Sequence, residues 1–184
     1  MTFWDKRIVL VTGATGFIGS HLAERLAAAG ACVRVLVRDA QRLLPTLRDR
    51  VEIVRGDLLH PECHGAATRG CEFVFHAAAW MGQPNRRDAA YTMNVAATQQ
   101  LAEAARAEGV RRFISTSSVA VYGPVLAGVV DETWPHSDVY LYSETKSRGE
   151  RAVFGTQTDQ FGVTVIRPAE VYGPRGGSWT TLPV

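Results

Sequence analysis

Three glycines at intervals of three residues, Gly13, Gly16 and Gly19, separate a short apolar run from a helical pattern. The run Arg7–Thr12 reads as a strand and Phe17–Ala29 as a helix, so Gly13-Ala14-Thr15-Gly16-Phe17-Ile18-Gly19 is a strand-to-helix turn. Glycine serves such a turn in three ways: it permits the tight bend, lets a pyrophosphate approach backbone N–H groups, and allows helix and strand to pack closely. The helix start adds unpaired N–H groups and a partial positive charge. The turn therefore predicts dinucleotide binding through Gly13, Thr15, Gly16, Phe17, Ile18 and Gly19. A triphosphate-binding loop is disfavoured, because no Gly-Lys-Ser/Thr follows.

The rest of the chain repeats the same alternation. Further strands are read at Cys32–Val37, Val51–Val54, Phe73–His76, Arg111–Ser117 and Val163–Arg167. Most are continuous apolar runs, as expected of parallel strands covered on both faces. Helical patterns lie at Pro61–Arg69, Arg86–Glu108 and Val139–Gln160, with Gly30 and Gly109 closing the first and middle helices. The order predicts an α/β fold, a doubly wound parallel sheet of Rossmann-like type, with residues 1–184 forming one NAD(P)-binding domain. A length of 184 residues suffices for one core, and a net charge of +2 offers no basic face for nucleic acid. No apolar run approaches the ~20 residues of a bilayer span, and the start lacks the pattern of an export signal. Three cysteines without a Cys-x-x-Cys pair point to reduced thiols and a cytoplasmic protein.

Strand ends supply the next candidates. NAD-binding versions of this turn place an acid at the end of the second strand, to hold the ribose hydroxyls. Here that position is Val37, and Arg38 follows. Arg suits a 2′-phosphate, so NADP is favoured over NAD; in the alternative, Arg38 is a solvated charge and Asp39 reaches the ribose. Asp57 is placed either to accept from an adenine amino group, with Leu58 on the ring, or to cap the next helix. Ala77, Ala78 and Ala79 are small enough for close backbone approach to the cofactor. His76 is either a catalytic group or, more simply, a packed strand-end histidine. Trp80 and Met81 border the substrate or merely pack.

Tyr142 and Lys146 stand four residues apart in a helical stretch, one turn apart on one face. An ammonium beside a phenol is expected to lower its pKa from ~10 and make Tyr142 a usable acid or base. The basic residues comprise 18 Arg and only 2 Lys, so a lysine at this spacing is a marked choice. Ser118, at the end of the fifth strand, is expected to hydrogen-bond a substrate oxygen, unless Ser117 and Ser118 only terminate the strand. No metal site is read: His60 and His64 lack a third ligand, and Pro61 lies between them.

Taken in order, several stretches carry a family resemblance. They are Thr12-Gly13-x-x-Gly16-x-x-Gly19, Gly56-Asp57-Leu58, Asn94-Val95, Ser117-Ser118-Val119-Ala120-Val121-Tyr122-Gly123, Tyr142-x-x-x-Lys146 and Arg167-Pro168-x-x-Val171-Tyr172-Gly173-Pro174-Arg175. The chain resembles the nucleotide-binding part of extended short-chain dehydrogenase/reductases, the NAD-dependent epimerase/dehydratase branch. The resemblance implies a catalytic trio of Ser118, Tyr142 and Lys146, with Lys146 also holding the nicotinamide ribose. It implies that Asn94 braces the middle helix and that Pro168 and Val171 lie near the nicotinamide. It also implies a homodimer through the two long helices, with which Val95, Leu101, Ala105 and Val153 are compatible. Members of the family run longer, and their C-terminal part supplies most of the substrate pocket, so a fragment lacking that region is expected. Three functions follow: an enzyme acting on a sugar nucleotide by epimerisation or dehydration, a carbonyl reductase of a ketone or alcohol, or a non-catalytic dinucleotide-binding module.

Overall fold

A computed structural model describes residues 2–83, 85–125 and 127–176; the run Gly177-Ser178-Trp179 and the rest of the C-terminal stretch lie outside the described residues. Six strands form one parallel sheet in the order β3-β2-β1-β4-β5-β6. They are β1 Ile8–Thr12, β2 Cys32–Val37, β3 Glu52–Arg55, β4 Phe73–His76, β5 Arg112–Thr116 and β6 Gly162–Ile166. The sheet is the doubly wound, Rossmann-like one that the alternation predicts. Each strand lies within a residue or so of its predicted bounds at either end.

Residues of β1 alternate between two apolar cores. Leu10 packs with Ala67, Leu101, Ala105, Val153 and Phe161 on one face. Val9 and Val11 pack with Ala23, Leu26, Leu43 and Leu47 on the other. Helix α1 (Phe17–Ala28) and the short α2 (Pro45–Arg48) cover the second face, α2 being an element that four residues are too few to announce. The first face takes α3 (His64–Thr68), α5 (Thr98–Ala107) and α6 (Leu141–Phe154).

Two helices depart from their sequence reading. The middle one is built of α4 (Arg87–Tyr91), a π-helical stretch Thr92–Ala97, and α5. The widened turn suits the close crossing of α6: a Cβ on Gly149 would fall 2.3 Å from the Asn94 carbonyl oxygen. Helix α6 begins at Leu141, where the Ser143 hydroxyl accepts from Tyr140 N–H at 3.1 Å, and ends before Gly155, well short of Gln160. Leu101, Ala105 and Val153 are wholly buried in the chain's own core, so burial against the sheet explains them without a partner. Among the described residues no helix is long and apolar enough to cross a membrane.

Candidate functional site

The strand order reverses beside β1, whose neighbours are β2 and β4. Ligands of open α/β sheets gather at that point, outside the carboxyl ends of the strands. A cleft of about 790 Å3 lies there. It is lined by Gly13, Thr15, Gly16, Phe17, Ile18, Gly19, Arg38, Asp57, Leu58, Ala77, Ala78, Ala79, Ser118, Tyr142, Lys146, Pro168 and Val171. The residues read for the glycine turn, the strand ends and the Ser118, Tyr142 and Lys146 trio thus line one cavity with Met81, whereas Asp39, His76 and Trp80 do not. Val119 of the serine motif also lines it, as do Leu36, Met93, Thr116 and Glu170, which nothing in their sequence setting marks.

The glycine turn is built to steric contact. Gly13 has φ +72°, and a Cβ there would meet Ala78 N at 2.7 Å. A Cβ on Gly19 would lie 2.2 Å from the Gly13 carbonyl oxygen, because α1 rises directly off the turn. No side chain caps α1 and no acid stands in its first turn, which leaves its initial amides for an anion. Gly19→Ala is expected to force turn and helix apart, costing about 1–3 kcal/mol in stability. Thermal melts would show that loss, and NADH titration should show at least tenfold weaker binding; wild-type affinity would contradict the close-packed turn.

Behind the turn, a relay of hydrogen bonds ties three elements together. Ala78 N–H donates to Thr12 Oγ1 at 3.4 Å, and Thr12 Oγ1 meets His76 Nδ1 at 2.8 Å. On the other side His76 Nε2 meets Thr98 Oγ1 at 3.0 Å, and Thr98 donates to the Met93 carbonyl at 3.1 Å. With Thr98 donating onward, the proton is assigned to Nε2, and Nδ1 accepts from Thr12. Burial, reinforced by the Lys146 charge, pushes His76 down to about 3. The ring is neutral at physiological pH and acts as a tether.

At the adenosine end, Val37 is buried where the sequence pattern calls for an acid, while the Arg38 side chain is 64% exposed. Asp39 is occupied in capping, its carboxylate accepting from Gln41 N–H at 2.9 Å. Asp57 combines two tasks: Oδ1 accepts from Leu59 N–H at 3.1 Å, and Oδ2 lies 3.6 Å from Arg38. His64 is buried, and its Nε2 bonds the Leu58 carbonyl at 2.9 Å, which fixes the loop carrying Asp57.

At the other end, α6 delivers Tyr142 and Lys146 into the cleft one turn apart, as their spacing requires. Their electrostatics differ from expectation. The Lys146 Nζ donates to the Thr116 carbonyl at 2.6 Å, and burial lowers its pKa to about 8, against the opposing pull of Glu150. Burial raises the Tyr142 hydroxyl above its ordinary value, and the Ser118 hydroxyl is the group that acts against the rise. The predicted lowering of Tyr142 by Lys146 is therefore corrected: the ammonium is engaged with β5, and the nearby hydroxyl favours the phenolate. Ser118 Oγ also accepts from Ala120 N–H at 3.1 Å. Because Lys146 holds its proton less firmly folded than unfolded, its burial destabilises the fold below about pH 8. That penalty fades as pH rises from there toward the ordinary lysine value of 10.5.

Asn94, in the π-helical stretch, joins this end to the loop after β4. Its Oδ1 accepts from Trp80 N–H at 2.7 Å, and its Nδ2 donates to Thr145 Oγ1 at 3.0 Å. Underneath, Arg167 binds the buried Glu150 carboxylate at 3.0 and 2.6 Å, Tyr122 Oη at 2.6 Å and His136 Nε2 at 3.0 Å. In the sequence Arg167 stands out only as part of a motif; its partners, 17 to 45 residues away, carry no local signal.

The sequence profile of the NAD dependent epimerase/dehydratase family matches residues 9–181. The chain belongs to that family. A 3 beta-hydroxysteroid dehydrogenase/Delta 5-->4-isomerase of Mycobacterium tuberculosis is 37% identical over 90% of this chain and 47% of its own length. Sterol demethylase protein B of Methylococcus capsulatus is 33% identical over 90% of the chain and 52% of its own length. Among solved structures, MoeE5 in complex with UDP-glucose and NAD superposes with a TM-score of 0.81 and 34% identity, covering 92% of this chain and 56% of that one. The chain spans about half the length of the curated relatives it matches. The cradle at Gly13 and Gly19 fits a dinucleotide, the cofactor that the family's name implies.

Proposed function

We propose that this chain forms the cofactor-binding and proton-transfer part of an NAD(P)-dependent oxidoreductase that acts on a carbon bearing a hydroxyl or carbonyl group. The observation that carries the reading is the convergence of Ser118, Tyr142 and Lys146 on the cleft that holds the glycine turn. A bound nicotinamide would supply the hydride acceptor or donor. Gly13, Thr15, Gly16, Phe17, Ile18 and Gly19 would seat its pyrophosphate, Asp57 and Leu58 its adenine, and Ala77, Ala78, Ala79, Pro168 and Val171 its nicotinamide half. Ser118 would hold the substrate oxygen while Tyr142 takes or returns its proton, and Lys146 would orient the ribose.

An uncharged, apolar alcohol or ketone suits the described lining better than a sugar nucleotide. Met81, Met93 and Val119 face the cleft, and Arg38 and Lys146 are the only cations among its described lining residues. The names of the steroid and sterol relatives support the same choice, while MoeE5 supports the sugar-nucleotide alternative. Incubation of the chain with a 3-hydroxysteroid or with UDP-glucose separates them: net NAD(P)H formation at 340 nm supports a dehydrogenase, and epimerised sugar without net reduction supports the alternative. If neither cofactor binds, the reading fails altogether.

For the cofactor, Arg38 favours a 2′-phosphate, since Val37 leaves the usual acid position empty and Asp39 is used as a cap. The NAD found in MoeE5 supports the dephospho form. Arg38→Ala should weaken NADPH binding about tenfold, the scale of a charge-assisted hydrogen bond, and change NADH binding less than about twofold. Fluorescence titration checks this, and equal losses for both cofactors would refute the assignment. Three unpaired thiols suit a reducing cytoplasm. Should two copies pair through α4–α5 and α6, as the family resemblance implies, Val95 is the partly exposed apolar contact.

A further inference from the structure

The segment that leaves β6 crosses the cleft and is fastened at both ends. At its start, the Pro168 carbonyl accepts from Val119 N–H at 3.1 Å, one residue past Ser118. Pro168, Ala169, Glu170 and Val171 then line the cleft. At its far end the segment reaches α1. His21 Nε2 bonds the Pro174 carbonyl at 2.9 Å, and Arg175 binds His21 Nδ1 at 2.9 Å and Glu24 Oε2 at 2.8 Å. Glu24 is itself steadied by Thr46 Oγ1 at 2.9 Å, and the His21 ring stands edge-on to Phe17, 5.4 Å between centroids. Phe17 lines the cleft in the first turn of α1. The strap therefore spans from the serine end of the site to the phosphate end.

Its fastening carries backbone strain. Arg175 sits at φ +75°, one of two non-glycine residues with positive φ among those described. A residue forced into that region stays there because the surrounding contacts hold it. The Arg175 contacts also keep the Glu24 carboxyl below its ordinary range, with the Thr46 hydrogen bond helping. Strain on one side and a partly exposed ion pair on the other (34% and 27%) describe a closure that opens readily.

We propose that Arg175, Glu24 and His21 form a latch that closes the strap over the bound dinucleotide and sets its rate of release. The inference rests on the cofactor reading above. Opening the latch would free residues 174–176 from α1 while Pro168 stays tied to the Ser118 turn, so the cleft would unseal at the phosphate end.

The test uses the chain as it is, with NADH as probe and stopped-flow displacement to read dissociation. Arg175→Ala and Glu24→Gln are each expected to raise the dissociation rate about fivefold to tenfold and to leave the association rate within about twofold, the range of a small charge network and not of a lone surface pair. Arg175→Gly removes the latch and the strain together, and its release should match that of Arg175→Ala with no loss of thermal stability. Dissociation rates within twofold of wild type in both Arg175→Ala and Glu24→Gln would overturn the latch. So would a loss confined to association. Failure of the wild type to bind NADH or NADPH would overturn the cofactor reading and the latch with it, whereas normal binding with unchanged release overturns the latch alone.

Discussion

Tyr142→Phe is expected to lower the rate of hydride transfer by about 10²–10⁴, the usual contribution of a positioned acid or base. Cofactor affinity should stay within about twofold. The phenyl ring keeps the packing of the half-buried tyrosine, and only its hydroxyl, the atom that Ser118 acts on, is lost. Burial has raised the Tyr142 pKa, so alcohol oxidation, which needs the phenolate, should accelerate as pH rises toward the range where that proton leaves. The variant's phenyl ring has no proton to lose, and this dependence should vanish with the rate. Single-turnover absorbance at 340 nm over a pH series reads both effects, and NADH fluorescence reads the affinity. A variant that keeps its rate, or that loses its cofactor, would remove Tyr142 from the proton-transfer role.

The second large effect concerns stability. Arg167→Ala leaves the Glu150 side chain, 2% exposed, without its cation. Removing one partner of a buried pair costs about 3–5 kcal/mol, since the orphaned charge keeps its desolvation penalty. For a chain of this size that corresponds to a fall of roughly 10 °C in the midpoint of unfolding. Replacing both partners with apolar groups, Arg167→Met with Glu150→Leu, should cost less, because no Glu150 carboxylate is then left buried without Arg167. Thermal denaturation of the single and double variants gives the comparison. If the single variant melts with the wild type, the network is ornamental and α6 is held by its apolar face. The effect bears on the site because Glu150 lies one turn beyond Lys146 on α6, and Arg167 directly precedes the strap.

Features whose geometry is set within a few residues can be read from the chain itself. The alternation of apolar runs with helical patterns defines the sheet, since a strand buried on both faces and an amphipathic helix each carry their own period. Gly13 and Gly19 mark the turn because only the smallest residue tolerates their contacts. Tyr142 and Lys146 are legible as a pair because a helix brings residues four apart to one side, and the motif order around Ser118 joins them to the turn. At Asp39 and Asp57 the sequence offers alternatives, and in the fold each carboxylate accepts from the backbone N–H two residues on.

Tertiary structure decided what those groups do electrically and what holds them. Whether Lys146 points its charge at Tyr142 or at the Thr116 carbonyl depends on where β5 lies, and the raised Tyr142 pKa depends on how much chain covers it. The neutrality of His76 comes from β1 and α5 closing over it. Arg167 with Glu150, and Arg175 with Glu24, are pairs separated by 17 and 151 residues, too far apart for any local period to connect them. Local spacing fixes which side chains share a face, because backbone geometry repeats over a turn or a strand. Desolvation and charge pairing are properties of the whole packed chain, so they exist only once it has folded.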